Sequence, residues 1–222
     1  EIPLFRTVPV NTVVVSESRV MPYDDAALLI KKARVISVAE CICRKISDMG
    51  GRTCSHLRES CLCFDDMADY YVENDIGRYI NVEEALEILN TCEKEGLVFQ
   101  VSNSKRIEVA CCCCSCCCGL LIALKAYGGP SREVISNYVC RKDDELCTDC
   151  GICLERCPIS ALKAADEKVN LKKEKCIGCG LCVTVCPTGA LVLEKKPNDK
   201  VYEPPKETLF ETYQVIEQVR RK

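Results

Sequence analysis

Most of what marks a membrane, secreted or nucleotide-binding protein is missing from this chain. It opens Glu1-Ile2-Pro3, without the basic start and apolar core of a signal peptide. Its longest apolar run, near Gly119–Leu124, is much too short to span a bilayer. No G-x-G-x-x-G, P-loop or nucleophile-elbow pattern occurs, so a flavin or nicotinamide site has no support. Gly50-Gly51, Gly128-Gly129-Pro130 and Ser131 read as turn and cap chemistry instead. Thirty Lys and Arg stand against 33 Asp and Glu, a net charge of −3 with both signs scattered, which excludes the basic stripe of a nucleic-acid binder. There is no tryptophan and one histidine, His56, which reads as a surface loop residue more than as a ligand.

What the chain has is cysteine: 22 of its 222 residues. That level normally signals a short secreted disulfide scaffold. The spacing says otherwise. Cys147-Thr-Asp-Cys150-Gly-Ile-Cys153-Leu-Glu-Arg-Cys157-Pro158 recurs 29 positions later as Cys176-Ile-Gly-Cys179-Gly-Leu-Cys182-Val-Thr-Val-Cys186-Pro187. Zinc sites also use C-x2-C, but separate the two pairs by a longer spacer. Disulfides would suit a secreted framework that nothing else here resembles. The glycine after each second cysteine lets backbone pass close to a bulky inorganic ligand. The proline after each fourth fixes φ and stops a helix growing backwards into the loop.

Over residues 141–196 the doubled C-x2-C-x2-C-x3-C-P run resembles the bacterial two-cluster ferredoxin domain. The resemblance implies two [4Fe-4S] clusters with crossed ligation. Cys147, Cys150, Cys153 and Cys186 would hold the first, and Cys176, Cys179, Cys182 and Cys157 the second. Thr148-Asp149 makes the first neighbourhood polar and Ile177-Gly178 makes the second apolar, so unequal potentials are expected.

Upstream, residues 1–23 read as an extended arm with a strand at Val13–Val15. Residues 24–34 run from acids to bases, as a helix dipole prefers, and Val35–Ala39 reads as a short buried strand leading into Cys41. Asn81 and Glu84 have capping-box spacing for a helix over 82–95. Its stripe is Val82, Ala85, Leu86, Leu89 and Cys92, and Gly96 stops it. Leu97–Val101 and Arg106–Ala110 read as a hairpin around Ser102–Lys105. After the second motif come a closing strand at Ala190–Leu193, a linker over 197–205, and a tail helix with Leu209, Tyr213 and Ile216 on the face that packs on the body. The expected fold is α+β: a cysteine-rich α/β module over 24–140, the ferredoxin domain over 141–196, and a linker with C-terminal helix over 197–222.

Beyond the eight motif cysteines stand fourteen more. Cys92 and Cys140 read as small buried hydrophobes. Seven thiols in the eight residues Cys111–Cys118 would be an oxidative liability unless something holds several of them. In an extended segment Cys111 and Cys113 face one way, and Cys112 and Cys114 the other. In a helix Cys113 pairs with Cys117, and Cys114 with Cys118. With Cys41, Cys43, Cys54 and Cys61, the set Cys111, Cys113, Cys114, Cys117 and Cys118 is expected to hold one or two additional iron–sulfur clusters. Zinc at the Cys41–Cys63 group is the rival.

From Cys41-Ile-Cys43-Arg44 through Cys54, Cys61-Leu62-Cys63-Phe64, the polycysteine run and both motifs, the chain is similar to a cysteine-rich group of 4Fe-4S dicluster ferredoxin-like proteins of anaerobes. That resemblance implies a redox role, and a missing initiator methionine agrees with an upstream segment. The expectation is a cytoplasmic electron-transfer protein, or a subunit of an oxidoreductase, with a redox protein as partner, no nucleic acid, no membrane span and no catalytic residue. A catalytic cluster on Cys111–Cys118 and a redox sensor are the alternatives.

Overall fold

A computed structural model describes residues 3–9, 25–127, 134–197 and 201–220. The expected strand at Val13–Val15 and the turn at 128–131 lie outside the described residues. In chain order the first half carries β1 (Phe5–Thr7), α1 (Ala26–Lys32), β2 (Ile36–Glu40), α2 (Ile42–Met49), β3 (Glu59–Phe64), α3 (Asp66–Glu73), β4 (Gly77–Ile80), α4 (Val82–Lys94), β5 (Val98–Ser102), β6 (Val109–Cys113) and α5 (Gly119–Tyr127). The second carries β7 (Val134–Ile135), β8 (Tyr138–Lys142), α6 (Ile152–Arg156), β9 (Leu162–Ala165), β10 (Lys168–Leu171), β11 (Leu191–Lys195) and α7 (Leu209–Arg220).

The fold is α+β, as expected. A seven-stranded mixed sheet runs β4-β2-β3-β6-β5-β1-β7, with β1 and β7 parallel and the other pairs antiparallel. The helix ends follow their caps. Asp25 accepts from the Leu28 N–H to open α1, and Asn81 accepts from the Glu84 N–H to open α4. The capping box is only half made, because the Glu84 carboxylate turns outward to Arg78 at 2.6 Å. Gly96, at φ 78°, ends that helix in the left-handed conformation only glycine takes easily. The apolar stripe Ala85, Ile88, Leu89 and Cys92 packs with Leu29 and Ile30 of α1 onto one sheet face, where Val38, Leu62, Phe64, Phe99, Ala110 and Cys112 form the core. Each such large side chain contributes about 1.5–3 kcal/mol by leaving water.

The hairpin expected at Leu97–Ala110 is β5 and β6, with Val101 opposite Ala110. Its second strand extends beyond the expected end, because the cysteines from Cys111 to Cys113 continue the ladder. Its turn is buried at Ser102, Asn103 and Ser104. The C-terminal segment covers it: Lys105 and Arg106 N–H groups donate to Lys206 and Glu207 carbonyls, and the Thr212 hydroxyl donates to Asn103 O. The tail helix therefore packs on the body, through Thr212 and Ile216; Tyr213, expected on that face, is half exposed. Positions 212 and 216 are one turn apart, and the buried hydroxyl's bond to Asn103 sets that face.

Beyond the sheet, β8 pairs with β11 and β9 with β10 as separate two-stranded ladders around the two cysteine motifs. The Arg156 guanidinium ties this part to the sheet half by donating to the Lys94 carbonyl at 2.8 Å and to that of Glu93.

Candidate metal centres

The first motif wraps α6. Gly151, at φ 80°, starts the helix, Cys153 lies in it and Cys157 ends it. In the second, Gly178 is packed so tightly that a Cβ would stand 2.3 Å from the Tyr138 carbonyl oxygen. Cys157, Cys176, Cys179 and Cys182 line one cavity of about 350 Å³, walled by Pro158, Ile159, Ala161, Leu162, Leu171 and Ile177. Cys157 thus sits with the three cysteines of the other motif. Backbone N–H groups point at these sulfurs: Ala161 to Cys157 Sγ at 3.2 Å, and Gly178 and Cys140 to Cys176 Sγ at 3.4 Å each. Burial pushes Cys176 and Cys179 up. Four soft donors in an apolar wall with N–H groups aimed at sulfur fit a cubane cluster.

The other motif set is less enclosed. Cys153 is buried, with Cys182, Cys150 and Cys186 as neighbours; burial pushes its thiol up to about 11. Cys150 is exposed, and Cys147 and Cys186 are half-buried. Burial opposes ionisation at Cys186, but the N–H groups of Leu191, Thr188 and Ala190 with the Thr188 hydroxyl pull its thiol down. The Asp149 carboxylate accepts from the Val169 N–H at 2.8 Å and lies 3.4 Å from Cys147 Sγ; the Val169 bond, against burial, lowers its pKa. Cys140 is buried as expected, yet its sulfur stands 3.7 Å from Cys182 Sγ in the cavity wall. Cys92 is buried in the sheet core.

The remaining expected ligands divide between two places. Cys54, Cys114, Cys116 and Cys117 bring their sulfurs within 4.8 Å of one another. Cys54 Sγ lies 3.9 Å from Cys114 Sγ and 3.7 Å from Cys116 Sγ, and Cys116 and Cys117 are 3.8 Å apart. Three of the four are buried and Cys116 is exposed. Cys116 was not among the expected ligands. Reading the run as strand or helix pairs alternate or fourth residues, whereas residues 115–117 form a turn before α5 starts at Gly119. The turn swings 114, 116 and 117 to one side.

Cys41, Cys43, Cys61, Cys111, Cys113 and Cys118 do not join that group. Together with Cys114 they line a separate cavity of about 780 Å³. The β-ladder makes it: Cys61 stands opposite Cys111, and Cys111 opposite Gln100. Hydrogen bonds from Cys113 and Cys43, against burial, pull the Cys118 thiol down. Two residues without a sequence signal stand at these sites. Gln100 is 2% exposed, takes a bond from Cys113 Sγ at 3.7 Å, and leaves its amide nitrogen without a partner. Arg44 is fully buried between the two thiol sets, donating to Leu57 O at 2.7 Å, to Cys112 O at 2.9 Å and to Ser60 Oγ. Burial alone would lower its pKa, but Cys114, Cys41 and Cys54 outweigh that and raise it. His56 is no ligand of either set; it pairs with Glu95 at 3.1 Å, which also accepts from the Leu57 N–H.

Residues 146–190 match the 4Fe-4S dicluster domain family. No curated protein matches the chain. A dicluster domain implies two [4Fe-4S] clusters, and the four-thiol group is a candidate for a further one.

Proposed function

We propose that this chain is an iron–sulfur electron-transfer protein. It carries two ferredoxin-type clusters and at least one more in the sheet half, and works with a redox protein or oxidoreductase subunit. The observation that carries the reading is the dicluster match on a doubled motif, together with the four-thiol group in the sheet half. Clusters of this class exchange single electrons at potentials set by hydrogen bonds, charge and exposure, over roughly −700 to +450 mV.

In this reading Cys147, Cys150, Cys153 and Cys186 hold one cluster, Cys157, Cys176, Cys179 and Cys182 the second, and Cys54, Cys114, Cys116 and Cys117 the third. The chain's own residues do the tuning. N–H groups of Ala161, Gly178 and Cys140 donate to sulfur at the second site, and its apolar wall excludes water. At the first, Asp149 adds negative charge beside Cys147. The two clusters therefore have unequal midpoints. All 22 cysteines are free of disulfides, which suits the reducing cytoplasm.

Anaerobic iron and sulfide quantification with Mössbauer spectroscopy tests the count. Twelve or more irons per chain are expected, at about four per cubane, and about eight sink the third cluster. Potentiometric EPR should resolve two ferredoxin midpoints; one shared value overturns their unequal tuning.

A further inference from the structure

The cavity of about 780 Å³ on the sheet face opposite the α1–α4 layer has no place in the relay described so far. It is ringed by Cys41 at the start of α2, Cys43 within it, Cys61 on β3, Cys111 and Cys113 on β6, and Cys118 ahead of α5. We infer that this cavity is a metal-cluster site in its own right, separate from the four-thiol group, and that it holds an anionic polynuclear iron–sulfur cluster. The inference rests on the iron–sulfur reading above and extends it.

Capacity is the first argument. Six thiols exceed the four that a single tetrahedral ion takes. The cavity is also roomier than the one ringed by Cys157, Cys176, Cys179 and Cys182. A lone zinc ion would leave most of it empty. Apart from Ser60, whose hydroxyl oxygen accepts from Arg44, and Gln100, the walls are apolar or small, with Phe5, Ile42, Gly119 and Leu120, and no lining residue carries a carboxylate.

Charge is the second. An amide N–H that is buried without a partner costs about 1–3 kcal/mol. The Gln100 amide nitrogen is such a group, on a residue lining the cavity and 2% exposed. A sulfide or thiolate inside the cavity would accept its hydrogen bond. Arg44 makes the same demand from behind. Among the described residues its hydrogen bonds go to two carbonyls and a hydroxyl, its Nε has no partner, and no carboxylate bonds to it. A fully buried guanidinium without a counter-ion is strongly unfavourable. Anionic clusters held by the two thiol sets that flank it, one with Cys41 and one with Cys54 and Cys114, would supply the missing charge. The N-terminal ends of α2 and α5 also border the cavity at Ile42, Cys43, Gly119 and Leu120, which adds partial positive charge on two sides.

Position is the third. Cys114 belongs to the four-thiol group and lines this cavity as well. On the other side Cys111, Cys113 and Cys118 share one apolar cluster with Cys157, Cys176 and Cys179. The site therefore lies between the four-thiol group and the second ferredoxin cavity, in contact with both walls.

The test compares the full chain, purified anaerobically, with Cys43→Ser/Cys118→Ser and with Cys54→Ser/Cys117→Ser, by iron and sulfide content and Mössbauer spectra. Each double variant should lose its own component, with the Cys43→Ser/Cys118→Ser protein short by about four irons or more while the others persist. Unchanged iron in that variant, or loss of one and the same component in both, overturns the separate site. The ferredoxin-type iron is the internal reference. Its absence from the wild type would refute the relay reading instead; its presence with only the component that Cys54→Ser/Cys117→Ser removes refutes this inference alone, and its presence with no further component refutes the third cluster as well. Should the cysteine variants fail to fold, Gln100→Leu keeps every thiol. A downward shift in the midpoint of one non-ferredoxin component alone supports the site, and midpoints all equal to wild type overturn it.

Discussion

In the ferredoxin-type half each motif brings four cysteines into eleven residues of loop and short helix. In the sheet half Cys54 meets Cys114 across sixty residues of chain. The supporting structures differ in the same sense. Around the two motifs stand only the two-stranded ladders β8–β11 and β9–β10, and cysteines make up much of the apolar clusters there. The seven-stranded sheet instead has a conventional core of Ile30, Leu62, Phe64, Leu89 and Phe99 under two helices. Local ligand sets need little scaffold, because the metal itself supplies the core. Distant ligand sets need a scaffold that forms first. One half is held by what it binds, and the other holds its thiols ready.

Removing the metal should break this comparison most visibly. Oxidative loss followed by chelation is expected to abolish hydrogen-exchange protection in β8–β11, while β2, β3, β5 and β6 stay protected, since metal binding is folding energy where little else is buried. Equal loss of protection in both halves would show that the sheet also depends on its metals.

The converse perturbation is Phe64→Ala, which empties a fully buried position beneath the sheet. It should cost about 3–5 kcal/mol in denaturant unfolding of the sheet half. The ferredoxin midpoints should stay unmoved, and a shift in them would mean that the halves are energetically one unit.

The smallest effect is at the sheet edge, where Arg78 on β4 bridges Glu59 and Glu84 at 2.8 and 2.6 Å. These side chains are about half exposed, so Arg78→Ala should lower stability only slightly, and less in high salt. Arg78 lowers the Glu59 pKa, so the stabilisation is present above the ordinary glutamate value and fades as pH falls through the depressed one. An acid titration of stability on the wild type and variant should converge at low pH.

Much of the scaffold was legible because its signals are local. Asp25 and Asn81 cap the helices, Gly96 stops α4, and Ile36–Ala39 and the β5–β6 hairpin read directly from pattern. The segment from α2 through β4 was not. Cys41, Cys54 and Cys61 interrupt the apolar periodicity there, and β4 is a four-residue edge strand. Cys116 escaped because strand and helix periods both pass over it, and the turn that recruits it forms only between β6 and α5. Gln100 carries no motif, and Arg44 entered only as the end of the Cys41–Arg44 stretch with no role attached; burial beside thiols is what singles both out.

The residue pattern by itself determined the doubled ferredoxin-type motif, with its eight cysteines and its two-cluster implication, since that spacing is short enough for local backbone geometry to enforce. It also determined that the leftover thiols were too many to be idle. Only the tertiary structure decided how those thiols divide, four in one group and six around one cavity. Strand register set the cavity, by pairing Cys61 with Cys111 and Cys111 with Gln100 on one face of the sheet, and the turn at 115–117 gathered the four-thiol group.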